Sequence, residues 1–562
     1  MRGIHFPSVA VRLNAEAPGR GRASHPPVVS EGIEAQRGRA GQWRSLLAMD
    51  RPGFWLLVGT AIFIYLEVFV LPTVPISIAN DQSINLDNAV RMVHGQAIYK
   101  DFFQYTLPGT ELFYFALFKM FGIRAWIPNG ALIALAVLIV WLGMVISRRV
   151  LEGWHAYLPS LLFIYAFHFA LDATHHKYSV LLVLAATATL IDKRTLGRVA
   201  CAGFLLGLAA CFTQSRGAVA AGAFAAFLAW EGWLRRSGVS AIAGRAATLL
   251  GAFVAVVAGV SAYFVGEIGL GRFIAYSVVF PMKYYRQDTV YNTWSGLLKV
   301  LPPLAHWYDV PRALFFFAIF LLIPAVYLMV LVISWRRGRL AMEGDNCERV
   351  AVVTAAGLAL YGSVIYAPEF VRLCEASLPA FILGVWLLEQ LRARDVWLKA
   401  AATAMAMAMA GAMVHTQTRW HGILNTPLGR TALLKRKDYA RYTWVANHTR
   451  PWEFFFEAVY SDMYFGLGLR NPAQIPYVTA NGYTRPEQVR ALIDALAAKR
   501  VKFVLWSKSL DPHDPPLRGD HLGPLRSYLP VKYAPVRDLG EGYIVLERRS
   551  LLKDRPGAAL SG

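Results

Sequence analysis

The chain has 562 residues, of which 56% are apolar or aromatic and only 17% charged, with 16 Trp, 25 Tyr and 32 Phe. That composition excludes a disordered chain and a cytosolic enzyme, and four cysteines at 201, 211, 347 and 374 make no disulfide framework of a secreted scaffold. The formal charge of +21 is spread out, with 8 basic against 4 acidic residues in 1–53, 27 against 19 in 54–415 and 22 against 13 in 416–562; without a dense basic run it suits lipid headgroups and phosphate better than nucleic acid.

Residues 1–53 are rich in Arg, Gly and Pro, lack the apolar core of a signal peptide, and read as a disordered cytoplasmic tail in which Met49 is an alternative start. From Phe54 the character changes. Apolar runs long enough to cross a hydrocarbon core of about 30 Å follow near 54–78, 127–147, 155–171, 176–191, 198–213, 217–234, 243–265, 312–334, 350–366, 374–391 and 397–415. These eleven runs predict an all-α polytopic membrane domain over 54–415.

Loop charge sets its polarity, because Lys and Arg gather on the cytoplasmic side. The segments 148–154, 192–198, 235–245, 335–349 and 392–399 hold 15 basic residues in 48 positions. The alternate segments 80–126, 172–177, 214–217, 266–311 and 367–373 hold 11 in 110. The N-terminus is therefore expected in the cytoplasm, with the long loops 80–126 and 266–311 and everything after 415 outside.

In the first long loop, Leu86, Ala89, Val90 and Val93 fall at helical spacing, predicting an amphipathic helix at the membrane interface that stops at Gly95. The apolar stretch 110–122 is too short to span and reads as interfacial or re-entrant. Residues 416–562 differ in kind. Thr484 and Glu487 suggest a capping box ahead of Val489, Leu492, Ile493 and Leu496; Val501–Leu505 and Tyr543–Leu546 read as strands. Together they predict a small extracytoplasmic α/β domain with long loops at the Pro-rich stretch 511–516.

No phosphate-binding glycine loop, zinc-protease helix, paired CxxC or nucleophile elbow occurs in a supporting context. The sharpest polar feature is Asp81, ahead of the loop-one helix at the mouth of the first span. It can act as a base toward a substrate arriving from the bilayer, or simply as a helix N-cap. Glu67, inside the first span, is either functional or a neutral acid packed on a neighbouring helix. Asp172, His175 and His176 hint at a metal, but adjacent histidines seldom converge on one ion and no metal ligand is assigned.

The runs Asn80-Asp81-Gln82, Gly95-Gln96-Ala97-Ile98-Tyr99-Lys100-Asp101-Phe102-Phe103 and Leu107-Pro108-Gly109-Thr110-Glu111-Leu112 resemble the first outer loop of GT-C glycosyltransferases. That superfamily includes protein O-mannosyltransferases and bacterial aminoarabinose transferases. The similarity continues more loosely through the alternating spans, the segment Phe280-Pro281-Met282-Lys283-Tyr284-Tyr285 and the outer C-terminal domain. It implies a sugar donor on a polyprenyl phosphate, a loop-one Asp that activates the acceptor, and a site at the outer membrane face. Asp81 then takes the catalytic role. Several relatives have Asp-Glu where this chain has Asp81-Gln82, and some carry a Lys where it has Leu107, so the phosphate clamp falls to Arg91, Lys100, Lys283, Arg286 or Arg372. Lys283 and Arg372 rank first among them. Asp101 matches the family's Tyr-x-Asp stretch and joins the substrate-binding set, with loop ordering as its other reading; Asp87 is placed on the polar face of the helix.

The resulting expectation is a multi-pass enzyme, of the bacterial inner membrane, that passes a hexosyl or pentosyl group from a polyprenyl-phosphate sugar to a lipid, glycan or protein acceptor. Membrane lipids are partners and nucleic acid is not. No cofactor is assigned, with a divalent cation left open. A transporter or flippase, or a silent protein that binds lipid-linked sugar, are the alternatives; a transporter would place ionisable groups at the midplane in two related halves.

Overall fold

The computed structural model describes residues 50–79, 81–285, 309–337, 345–365, 369–391, 395–515 and 517–552. The first apolar run forms helix α1 (Arg51–Val68) and stops well short of residue 78. The sequence Leu71-Pro72-Thr73-Val74-Pro75 dictates the stop, because proline cannot donate a helix hydrogen bond and pushes its predecessor toward extended backbone. The chain turns back instead as a small antiparallel hairpin of β1 (Phe69–Val70) and β2 (Val74–Pro75).

Loop one supplies α2 (Asp81–Val93) and α3 (Gly109–Phe121). Past the end of α2, Gly95 takes φ +88°, a left-handed value glycine adopts without steric cost. The polar face of α2, expected to meet solvent, does not. Leu86, Ala89 and Val90 are buried as expected, but Asn85, Asp87, Asn88 and Arg91 on the other faces are buried too. The chain beyond residue 416 covers Asp87 and Arg91 through Asn471 and Ala473, whereas Asn88 is tied to Glu111 of α3.

The other apolar runs fold as α4 (Ile127–Ser147), α5 (Leu158–Phe167), α6 (His175–Leu190), α7 (Leu196–Phe212), α8 (Gln214–Leu234), α9 (Val239–Ile268), α10 (Asp309–Arg337) and α11 (Asp345–Gly362). The short α12 (Phe370–Glu375), α13 (Leu378–Gln390) and α14 (Asp395–Thr418) complete the bundle. Among the described residues, α1, α4, α8, α9, α10 and α14 are long and apolar enough to cross a membrane. Of the others, α5 and α13 are shorter than their runs. α5 has 10 residues after a 3-10 turn at Gly153–Tyr157, and the run 374–391 breaks at Ala376–Ser377.

Small residues set the helix contacts. A Cβ on Gly203 of α7 would stand 2.2 Å from the Leu249 carbonyl oxygen of α9, and one on Gly207 2.8 Å from that of Phe253. The pair is a small-xxx-small face of the kind that lets membrane helices approach closely.

The polar segments sort to two ends. At one, Arg149 and Arg349 share Asp192, Arg194 and Arg235 share Glu231 and Glu348, and His155 meets Glu389 and Asp395. These contacts join all five of the base-rich segments. At the other end lie α2, α3, the 172–177 segment, α12 and the C-terminal region.

That region begins with the hairpin β3 (Gly422–Thr426) and β4 (Gly429–Leu433), which docks on β2 through an Ile76–Ala432 bridge. Next come α15 (Arg436–His448), β5 (Phe455–Glu457), α16 (Asp462–Leu467), α17 (Pro486–Ala498), β6 (Phe503–Ser507), α18 (Gly523–Lys532), β7 (Tyr533–Gly540) and β8 (Tyr543–Arg548). A four-stranded sheet in the order β5-β6-β8-β7 pairs β5 with β6 in parallel and the rest antiparallel, giving the expected α/β domain. Two boundaries move. Pro486 is the first residue of α17 and forces Arg485 to be extended, so Arg485 N–H donates to Gln488 Oε1 (2.9 Å) while Thr484 Oγ1 accepts from Thr479 N–H instead. β6 starts two residues later than expected, with all five residues buried.

Candidate functional site

Asp81 is the first residue of α2 rather than the residue before it. With Asn85 one turn on, it opens into a cavity also lined by Tyr105 and Thr106 of loop one, His175 at the start of α6, and Tyr477 and Tyr483 of the C-terminal domain. Its side chain is exposed to that cavity, while the walls hold it away from bulk water. This burial pushes its pKa up to about 6; Arg372 opposes the shift, and Asp172, Glu369 and Glu375 add to it.

Arg372 on α12 is aimed by two partners. Its Nη2 donates to the Tyr285 hydroxyl at 3.1 Å and its Nε lies 3.2 Å from Glu369 Oε2. Tyr285 in turn packs on Tyr105 at 5.4 Å between ring centroids. The segment singled out around Phe280–Tyr285 thus reaches the cavity wall, and Phe280 stacks edge-on against both Phe103 and Tyr483.

Buried polar ties hold the floor. Lys177 is fully buried between Asp172 and Glu375, at 2.8 Å from the latter, and so fixes the 172–177 segment to α12. Gln82 uses its side-chain carbonyl to accept the Ala173 N–H. Glu111 accepts from Gln104 Nε2 and, at 3.4 Å, from Asn88 Nδ2; burial raises its pKa to about 7. Arg216 at the start of α8 donates to the His176 carbonyl at 2.6 Å and to Ser179.

Several expected residues lie elsewhere. Arg91 is buried, donates to Gln96 and to the Ala473 carbonyl, and sits 4.5 Å over the Phe102 ring, so it clasps α2 to the C-terminal domain. Lys100 pairs with Glu267 on the surface at 2.9 Å. Asp101 accepts the Ala97 N–H at 2.7 Å, which orders the loop. Lys283 is exposed over the Tyr284 ring, and Arg286 falls outside the described residues. Asp87 is not solvated on a polar face. It is 2% exposed beside Arg91, and burial pushes its pKa up to about 6. Glu67 takes the packed reading: its Oε2 accepts from Thr416 and lies 3.2 Å from His168 Nδ1. Asp172 is engaged by Lys177, and among the described residues no group of three or more His, Cys, Asp or Glu could hold a metal ion.

No sequence-family model and no curated protein matches the chain. Solved structures do match in three dimensions, among them ArnT from Cupriavidus metallidurans bound to undecaprenyl phosphate and the same protein in the apo state, each at 12% identity with a TM-score of 0.51. Each alignment covers 88% of this chain and 97% of the other. The fold is GT-C-like.

Of the residues the sequence singles out, Asp81 lines this cavity and Arg372 and the Phe280–Tyr285 segment lie beside it; Asn85, Tyr105, Tyr477 and Tyr483 line or flank it without having been singled out. Asn85 carried a usable signal, since it sits one helical turn from Asp81. Tyr477 and Tyr483 carried none, because only the fold of a domain distant in sequence brings them to loop one.

Proposed function

We propose that the chain is an integral membrane glycosyltransferase moving a sugar from a polyprenyl-phosphate donor to a lipid, glycan or protein acceptor at the outer face of the membrane. The observation carrying this reading is one carboxylate, Asp81, opening into a walled cavity beside Arg372 in a fold shared with ArnT. In this reading the ionised Asp81 takes the proton of an acceptor hydroxyl as that oxygen attacks the anomeric carbon. The bond from that carbon to the phosphate oxygen breaks, and the electron pair leaves with the polyprenyl phosphate. A phosphate is already a good leaving group, so one base and a cation suffice; Arg372 faces the developing charge. That one ArnT structure is bound to undecaprenyl phosphate supports a carrier of this class here.

In the same reading residues 1–53 are a cytoplasmic tail, 54–415 the membrane domain and 416–562 the extracytoplasmic domain, in a bacterial inner membrane. Gln82 and Leu107 weaken nothing in it. Gln82 is occupied in holding Ala173 and Leu107 is buried among apolar side chains, and the reading gives the clamp to Arg372.

The test is to give the purified protein, in lipid, a panel of radiolabelled polyprenyl-phosphate sugars and ask which label moves. Transfer by the wild type and a fall of roughly 10²-fold or more in turnover for Asp81→Asn is the expected result, because Asn keeps the shape and cannot accept the proton. Near-normal turnover in Asp81→Asn would remove it from the chemistry.

A further inference from the structure

A second cavity, of about 330 Å³, opens at the base-rich end of the bundle, away from Asp81. Pro52 and Leu56 of α1, Trp154 and Tyr157 of the 3-10 turn, Leu161 of α5 and Ala402 of α14 line it, so its wall is almost wholly apolar. Gln417 ties the end of α14 to the exit of α1, and at their other ends the same two helices leave this crevice. Trp55 on α1 is 66% exposed and Trp397 on α14 72% exposed. Indole rings gather where hydrocarbon meets headgroups, which sets the mouth of the crevice at that level.

Two cations sit over the rings that frame the mouth. Lys399 Nζ, one helical turn before Ala402, stands 5.8 Å over the Trp154 ring. Arg148 stands 5.2 Å over the Tyr157 ring and donates to its hydroxyl at 3.2 Å. The carboxylates close by are held in a joint of their own, with His155 at 2.8 Å from Glu389 and 3.2 Å from Asp395, and with Trp154 Nε1 donating to Asp395 at 3.5 Å. Lys399 is exposed, and what it rests on is a ring rather than a carboxylate. An exposed ammonium above an apolar crevice matches a ligand with an anionic head and a hydrocarbon tail.

We infer that this crevice binds an anionic glycerophospholipid from the leaflet at the base-rich end, with one acyl chain lying in the crevice and the phosphate facing Lys399 and Arg148. Basic groups beside a gap between membrane helices are the pattern that holds anionic headgroups. The other occupants fit less well. A helix of another protein, about 10 Å across, would lie over the mouth without filling it. A second copy of the chain would need to bury on the order of 1,000 Å², far more than one crevice offers. A free phosphate would gain nothing from the apolar wall. The bound chain is then a wedge that completes the contact of α1 with α5 and α14, and the inference does not rest on the glycosyltransferase reading.

The experiment is photolabelling of the full chain in phosphatidylethanolamine nanodiscs by a phosphatidylglycerol that carries a diazirine within one acyl chain, with the labelled peptides mapped by mass spectrometry. Label should concentrate on the Trp154–Leu161 stretch and around Ala402, and unlabelled phosphatidylglycerol should compete for it better than phosphatidylcholine. Ala402→Phe fills the crevice and leaves the cations in place, so it should lower this label roughly tenfold, the loss of about two buried methylenes. Lys399→Gln should cut the preference for phosphatidylglycerol about fivefold, one cation's share beside an anionic headgroup. As a change at an exposed position it leaves folding intact, which keeps the test decisive if Ala402→Phe does not fold. Label spread evenly over the outward faces of α9 and α10, or equal in wild type and Ala402→Phe, would overturn the inference. So would a crevice that stays unlabelled in the wild type, the result if residues 1–49 or a second copy covered it. An unchanged preference in Lys399→Gln overturns the anionic headgroup.

Discussion

Asp81 has to be ionised to act as a base, and its surroundings resist ionisation. Because burial raises its pKa to about 6, the protonated and inactive form persists to higher pH than for an ordinary Asp near 4. The acidic limb of kcat/KM should therefore fall near pH 6, with activity rising as pH climbs through it. Its neighbours move that limb in opposite directions. Arg372 favours the carboxylate, so Arg372→Ala should shift the limb to higher pH; Glu369 disfavours it, so Glu369→Gln should shift it lower. A pH series on the three proteins checks both signs, and one limb common to all would mean that another group controls it. Arg372→Ala should also raise KM for the lipid donor more than Lys283→Ala does, since Arg372 faces Asp81 while Lys283 lies exposed over Tyr284. At this scale the sequence revealed Asp81 and Arg372 because charged residues at span ends are conspicuous. Asp87 misled because an Asp on an amphipathic helix looks solvated until a second domain covers it, and Tyr477 looks like any aromatic residue of a folded domain.

Helix packing makes a separate demand. α7 and α9 touch through Gly203 and Gly207, where added Cβ atoms would strike backbone carbonyls that cannot move aside like a flexible side chain. Gly203→Ala should push the two helices apart and cost about 1–3 kcal/mol, the range for overpacking. Gly222→Ala on α8 meets nothing within 4 Å and should be neutral or slightly stabilising. The temperature at which half of each purified variant remains folded separates the two. Element identity was largely legible in the sequence, because apolar run length and helical spacing survive burial in any surroundings. Boundaries were less so. The first run was read to residue 78, although Pro72 and Pro75 were there to end it, and the cap of α17 moved by one residue because Pro486 outweighed the Thr484–Glu487 pattern.

Across the whole molecule, the five base-rich segments meet at one end, while Asp81, Asp172, Arg372 and the C-terminal domain meet at the other. Loop charge alone groups the segments in the same way, because each crossing of the bundle reverses the chain. The bias in Lys and Arg predicts that the base-rich end faces the cytoplasm. A phosphatase active only outside the cytoplasm, fused after residue 450, should give activity. A stable but silent fusion would invert the arrangement and remove the outer site with it.

Gln417, at the end of α14, donates to the Leu66 and Phe69 carbonyls at 2.6 Å each and accepts the Leu71 N–H at 3.2 Å, so the last apolar helix is latched to the exit of the first. Synthesis runs from the N-terminus, so Asp81 is delivered to the membrane long before this latch and the tyrosines beyond it exist. The cavity is thus an end product of biogenesis. A nascent or prematurely terminated chain therefore carries Asp81 without the aromatic wall that Tyr477 and Tyr483 supply.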